Sequence, residues 1–109
     1  MNIFKLVKEA SIKVDGIQKT PRTEYSVLSS AMAELGELAE EVAINNGNHY
    51  KLADVDGVVG EAVDVIITVL DLLHVHNPSI TAQYIDEYAA KKLLKWVTKV
   101  ENDSNTKEQ

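Results

Sequence analysis

The chain has 109 residues, a net charge of −6 at pH 7 and no cysteine. This length predicts one domain with a small core, and the missing cysteines exclude thiol catalysis, disulfides and zinc–thiolate sites. The acidic balance disfavours a nucleic-acid backbone as the partner, because that polymer is bound mainly through Lys and Arg. It would also repel a free nucleoside triphosphate unless bound cations reversed the local field.

The first ten residues show no targeting signal, because Lys5, Lys8 and Glu9 interrupt their apolar pattern. The longest apolar run, residues 65–70, contains Thr68 and is too short to span a bilayer. We therefore expect a cytoplasmic protein that does not enter a membrane.

Four helices are predicted, and no convincing strand. The first covers residues 2–14, where apolar residues recur at helical spacing. Asp15 and Gly16 then break the pattern, and Thr20-Pro21 marks a turn.

The second helix is expected to begin at a cap, either Thr23 or Ser26, and to run to about Ile44. Residues 45–48 read Asn-Asn-Gly-Asn. They end the helix, because Asn and Gly accept left-handed backbone conformations at little cost.

The third helix is expected to start within residues 51–55 and to end within residues 74–77. Gly57 and Gly60 near its start indicate either close backbone packing or a later start. Residues 58–73 are apolar almost all round, a pattern typical of a helix that is buried on every side. A monomer of this size cannot easily surround one helix, so we expect the chain to form an oligomer.

The fourth helix is expected to run from Pro78, which suits a first helical turn, to about Glu101. Residues 102–109 contain no apolar side chain and are predicted to form a disordered tail. The predicted fold is thus all-α: a four-helix, bundle-like protomer over residues 1–101 that oligomerises.

Acidic residues form a stripe on each of the two central helices. At roughly 100° per residue, Glu34, Glu37 and Glu41 fall within one narrow sector of the second helix. Glu40 lies away from that sector and is expected to face solvent. The stripe on the third helix consists of Glu61, Asp64, Thr68 and Asp71.

If these two helices pack antiparallel, four carboxylates converge: those of Glu34, Glu37, Glu61 and Asp64. Asp64 lies among valines and isoleucines, where an ion pays a desolvation cost unless something pairs with it. Ligands that are all oxygen suit Mg²⁺, or else Mn²⁺. The competing interpretation is that each acidic motif is an ordinary solvated helix face.

A magnesium ion held by carboxylates typically keeps several waters and shares its other positions with substrate phosphates. It can neutralise phosphate charge and activate a water, with a spare carboxylate as the base. The pattern therefore favours hydrolysis of a nucleotide polyphosphate.

Two strings, Glu34-Leu-Gly-Glu37-Leu-Ala-Glu and Glu61-Ala-Val-Asp64-Val, resemble the E-x-x-E and E-x-x-D motifs of the all-α nucleoside triphosphate pyrophosphohydrolases. That superfamily includes MazG, dimeric dUTPases and dCTP pyrophosphatases. The resemblance covers residues 20–75 well and the fourth helix loosely. It implies Mg²⁺-dependent cleavage between the α and β phosphates, giving a nucleoside monophosphate and pyrophosphate. It also implies a homodimer or homotetramer.

By motif position, the resemblance implies that the metal ligands are Glu34, Glu37, Glu61 and Asp64. Glu37 and Glu41 are candidates for the general base by their geometry on the helix. Candidate phosphate contacts are Lys92 and Lys95 on the fourth helix, together with Lys19 and Arg22 before the second helix. Each of these four cations is also typical of an ordinary surface position.

The base pocket is expected to differ from that of the family. The Asn of the family's last-helix segment is missing from residues 91–99, and Ile44 stands where the dCTP-cleaving relatives have Trp. His49 and Tyr50 lie between the two motifs and are candidates to line this pocket.

Two further hypotheses compete with hydrolysis. The chain can instead be a non-catalytic acidic helical protein that binds a nucleotide or a protein partner. The Asp71-x-x-His74 pair also fits a di-iron site, but such sites need two of these pairs and two more glutamates.

Overall fold

A computed structural model describes residues 1–47, 52–53 and 55–108, with side chains up to Asn105. Its secondary structure within these residues is entirely helical: α1 (Ile3–Ile17), α2 (Glu24–Asn45), α3 (Gly57–His76) and α4 (Ala82–Glu108). The predicted all-α class with four helices is confirmed, whereas the oligomer stays a prediction. His49 and Tyr50, the candidates for the base pocket, lie outside the described residues.

Side-chain caps define the starts of the first two helices. The Asn2 side chain accepts a hydrogen bond from the Lys5 backbone N–H at 3.0 Å. At α2, the Thr23 hydroxyl accepts from the Ser26 N–H at 3.1 Å, and the Ser26 hydroxyl accepts from the Thr23 N–H at 2.9 Å. Thr23 is therefore the cap, and Ser26 completes a reciprocal capping box that satisfies two orphan donors.

Glycines in the left-handed region mark the chain's departure from α2 and its entry into α3. Gly47 has φ +74° directly after the turn that ends α2. Gly57 has φ +65° at the start of α3, a conformation that costs a side-chain-bearing residue much more than glycine. The third helix therefore starts later than the predicted 51–55, and it ends at His76 as expected.

Two helices run further than the sequence predicts. Helix α1 continues through Asp15 and Gly16 to Ile17, since a single Gly weakens a helix without stopping it. At its other end helix α4 is shorter than expected: it starts at Ala82 and not at the predicted Pro78, because the Thr81 hydroxyl accepts a hydrogen bond from the Tyr84 N–H at 3.1 Å.

Helix α4 continues through Glu108, so the prediction of a disordered tail is wrong for residues 102–108. This stretch contains neither Gly nor Pro, and each residue added to an existing helix gains a backbone hydrogen bond.

Residues 1–79 form one compact unit and residues 80–109, which contain α4, form another. Within the first unit α3 packs most extensively on α2 and also on α1. Glu24 at the start of α2 bonds His76 at the end of α3, with 2.9 Å between Oε1 and Nδ1. The two central helices are therefore antiparallel. The predicted single domain over residues 1–101 stays a prediction.

The core of the first unit is small. Among the described residues, the buried apolar side chains are those of Phe4, Val7, Val27 and Ala31, none of them from α3. Apolar side chains of α3 remain 39–47% exposed in the single chain: Val63, Ile66, Ile67 and Val69. One chain thus does not bury α3 on all sides. No helix among the described residues is both long and apolar enough to cross a membrane.

We predict that Thr23→Ala destabilises the protein by about 1 kcal/mol, because it removes one half of the capping box. For a domain of this size the melting temperature should fall by roughly 4–8 °C. Circular dichroism during heating measures this change. Ser30→Ala is the control, since Ser30 is exposed and bonds only the Ser26 carbonyl within α2. Equal melting temperatures for the two variants would contradict the capping account.

Candidate metal centre

Three acidic side chains from two helices converge in the first unit. Glu34 comes from α2, and Glu61 and Asp64 come from α3. One carboxylate oxygen of each lies within 4.8 Å of those of the other two, the single such group among the described residues. Glu61 is buried, with 5% of its surface exposed, and the other two are half-buried. The structure thus brings together three of the four predicted ligands.

Helix geometry explains the convergence. Glu61 and Asp64 are three residues apart, so they share a face of α3. Because α2 runs antiparallel, the middle of α2 faces the first turns of α3, which places Glu34 opposite that pair. We call Glu34, Glu61 and Asp64 the acidic triad.

The acidic triad carries an electrostatic cost in the metal-free chain. The pKa of Glu34 is raised, first by burial, then by the negative charge of Glu37 and a hydrogen bond with it, and lastly by the charge of Asp64. Glu34 Oε2 is inaccessible to solvent and accepts no hydrogen bond from any described residue. A buried carboxylate oxygen without a donor is costly, and a cation would remove that cost.

Three more glutamates of α2, Glu37, Glu40 and Glu41, line a groove beside the triad. It has a volume of about 410 Å³, and its acidic walls are Glu37, Glu40, Glu41 and Glu61. Glu37 is exposed and its charge acts on Glu34, but it lies outside the acidic triad. Glu41 is only 5% exposed. Glu40, which was expected to face solvent, is half-buried and lines the wall of this open groove.

Arg22 is bonded to protein groups rather than open to solvent. Its Nε donates to Asp15 Oδ1 at 2.8 Å, and its Nη1 donates to Asp71 Oδ2. Its Nη2 donates to the Ser11 hydroxyl, with a longer contact of 3.4 Å to the Ser11 carbonyl. The pKa of Arg22 is raised, chiefly by its hydrogen bond to Asp15. A phosphate would have to compete with these partners for the guanidinium.

Sequence reasoning missed the partners of Arg22. One signal was present: Ser11 is a polar residue on the stripe of α1 that also carries Phe4 and Val7, and all three are buried. Nothing in the sequence pairs Asp15 with Arg22, since a contact across a turn depends on how that turn folds.

The remaining predicted cations lie elsewhere. Lys19 is exposed in the connection between α1 and α2. Lys92 lies on α4 with its Nζ 5.7 Å from the centre of the Tyr88 ring, and Lys95 lines a shallow groove on the same helix. Their role in binding phosphate stays a prediction.

The residues of the di-iron hypothesis are not part of a metal-binding group. Asp71 is bonded by Arg22, and His74 is buried. Neither belongs to a cluster of three or more possible ligands within the described part of the chain. The geometry therefore favours the acidic triad over a carboxylate–histidine site.

Comparison with protein-family models, with curated protein sequences and with solved structures gave no match for this chain. The likeness to the all-α nucleoside triphosphate pyrophosphohydrolases therefore rests on the two acidic strings alone. The case for a metal site rests on the geometry of the acidic triad.

We predict that Glu34→Gln stabilises the metal-free protein at pH 7. A raised pKa in the folded state means that Glu34 favours folding while it is protonated, and that this contribution is lost as pH rises through the raised pKa. The variant should melt above the wild type at pH 7 in chelator, and the gap should narrow towards about pH 4, where the wild-type carboxyl is largely protonated.

Glu9→Gln is the matched control, because Glu9 is an exposed residue of α1. It should melt like the wild type at both pH values. A Glu34→Gln variant that is less stable than the wild type at pH 7 in chelator would contradict the described electrostatics.

Proposed function

We propose that this chain hydrolyses (deoxy)nucleoside triphosphates to a nucleoside monophosphate and pyrophosphate, using Mg²⁺. The observation that carries the proposal is the acidic triad, whose oxygens lie within 4.8 Å of one another on two facing helices. On this proposal the chain is a member of the all-α nucleoside triphosphate pyrophosphohydrolase superfamily.

The chemistry of the triad fits a hard divalent cation. Carboxylate oxygens are the donors that Mg²⁺ prefers, and Mn²⁺ accepts the same set. Glu34, Glu61 and Asp64 would hold the ion, and Glu37 would stand beside it on the next turn of α2. The bound ion would neutralise phosphate charge and make a water more acidic.

Glu37 is the better candidate for the general base. It is exposed and follows Glu34 by one turn of α2, so it can accept a proton from a water beside the triad. In the proposed reaction a water oxygen bonds to the α phosphorus and the bond between that phosphorus and the α–β bridging oxygen breaks. The proton goes to Glu37 and the pyrophosphate leaves. Glu41 is buried in the groove wall, which favours a supporting role.

We assign the phosphate contacts to lysines. Lys92 and Lys95 occupy the part of α4 that corresponds to the family's nucleotide-contacting segment, and Lys19 precedes α2. Arg22 is the weakest of the four predicted contacts, because Asp15 and Asp71 already bind its guanidinium.

The proposal includes self-association in the cytoplasm. The half-exposed valines and isoleucines of α3 support a homodimer or homotetramer, since burying them against a second copy would remove apolar surface from water. The acidic surface argues against a nucleic-acid polymer as the partner.

The test is release of pyrophosphate from a panel of ribo- and deoxyribonucleoside triphosphates, with Mg²⁺ and with chelator. We predict Mg²⁺-dependent release by the wild type. Glu37→Gln should lower the rate about 10²–10⁴-fold, the usual contribution of a general base. Asp64→Asn should abolish the Mg²⁺-dependent release of pyrophosphate, because it takes one ligand from the triad.

Glu9→Gln, which changes an exposed glutamate of α1, should match the wild type. Unchanged release in both Glu37→Gln and Asp64→Asn would refute the proposal. Calorimetry that detects nucleotide binding without any product would select the non-catalytic binding protein instead.

A further inference from the structure

One side chain joins all three helices of the first unit. Arg22 lies in the connection between α1 and α2, directly before the Thr23 cap. Its guanidinium bonds Ser11 and Asp15 on α1 and Asp71 on α3. Only 17% of the Arg22 side chain is exposed, and 18% of the Asp71 side chain. The planar fork of Arg fixes its partners more tightly than a flexible lysine would.

Asp71 lies on the same face of α3 as Glu61 and Asp64, the two members of the acidic triad that this helix carries. It follows Asp64 by seven residues, close to two full turns of a helix, so both side chains point the same way. A rotation of α3 about its axis would therefore have two effects at once. It would move Asp71 away from Arg22, and it would move Glu61 and Asp64 away from Glu34.

The apolar packing of α3 in the single chain is incomplete, because its apolar side chains are at most half-buried. Among the described residues of α3, those that are buried are Glu61 and His74, and no apolar side chain of this helix is buried. Carboxylate oxygens that lie within 4.8 Å of one another repel when they are ionised, and this repulsion favours separation of α3 from α2. The Arg22–Asp71 pair opposes this repulsion from two turns further along the same face.

We propose that Arg22 is a positioning residue for the acidic triad. Through Asp71 it holds α3 in the rotation that directs Glu61 and Asp64 at Glu34, although it belongs to neither the triad nor the groove beside it. This proposal rests on the cation site proposed above, and it replaces a phosphate contact by Arg22 with a contact inside the fold.

The direction in which the Kd for the cation changes when Arg22 is replaced distinguishes a positioning role from a purely electrostatic one. Removing a positive charge near a cation site should tighten cation binding by Coulomb's law. Loss of a residue that orients the ligands should weaken it, typically by 10–100-fold. We therefore expect Arg22→Gln to raise the Kd for Mn²⁺ by about 10–100-fold.

The measurement is a titration of the full-length protein with Mn²⁺ alone, in which electron paramagnetic resonance counts the free ion. All variants are measured at a temperature where circular dichroism shows them folded. Arg22→Lys keeps the charge and reaches fewer partners, so its Kd should lie between those of the wild type and Arg22→Gln. If Arg22→Gln does not fold, the Kd of Arg22→Lys for Mn²⁺ is compared with that of the wild type instead.

The matched control is Asp15→Asn. Asp15 is the partner of Arg22 on α1, its side chain is 48% exposed, and it makes no hydrogen bond to α3 among the described residues. This variant should bind Mn²⁺ nearly as the wild type does, whereas Asp71→Asn should bind it much more weakly. Both changes remove one negative charge and so weaken cation binding by Coulomb's law, whereas Arg22→Gln removes a positive charge. Weaker binding in both Arg22→Gln and Asp71→Asn therefore reports orientation rather than charge.

Wild-type or tighter Mn²⁺ binding by Arg22→Gln would overturn the positioning role and leave the cation site standing. If Arg22→Gln does not fold, the same result for Arg22→Lys would do so. Equal Kd values for Asp15→Asn and Asp71→Asn would overturn it as well. A wild-type protein that binds no Mn²⁺ would overturn the cation site, and the role of Arg22 with it.

Discussion

The close approach of three carboxylates between α2 and α3 is the constraint on which the first unit of this protein depends. Glu34, Glu61 and Asp64 lie together on the facing surfaces of α2 and α3, where burial and neighbouring negative charge raise the pKa of Glu34. Such a cluster is unfavourable without a counter-charge. A divalent cation would turn the same arrangement into a stabilising contact between the helices, so binding and folding are linked.

The fold supplies the opposing contacts at the other end of α3. There Asp71 meets Arg22, and His76 meets Glu24 at the first turn of α2. The fully buried apolar side chains come from α1 and α2, and those of α3 are at most half-buried. Charged contacts therefore add to apolar packing in orienting α3 in the single chain, and self-association would add the apolar contacts that one chain lacks.

Helical periodicity was enough to predict the class of the fold, the number of helices and the convergence of three of the four expected carboxylates, those of Glu34, Glu61 and Asp64 but not Glu37. It failed where one local contact decides the outcome. Gly57 delays the start of α3 by its left-handed backbone, and α4 continues past Glu101 because nothing there breaks it. The contact between Arg22 and Asp71 spans distant segments, and periodicity within one helix carries no information about it.

Diffraction from crystals grown with Mn²⁺, recorded at the manganese absorption edge, tests the central claim most directly. The account predicts one anomalous peak in each protomer, coordinated by oxygens of Glu34, Glu61 and Asp64. This peak should be absent from Asp64→Asn crystals grown in the same way. A wild-type triad neutralised by lysine or arginine side chains, with manganese bound elsewhere or not at all, would contradict the account.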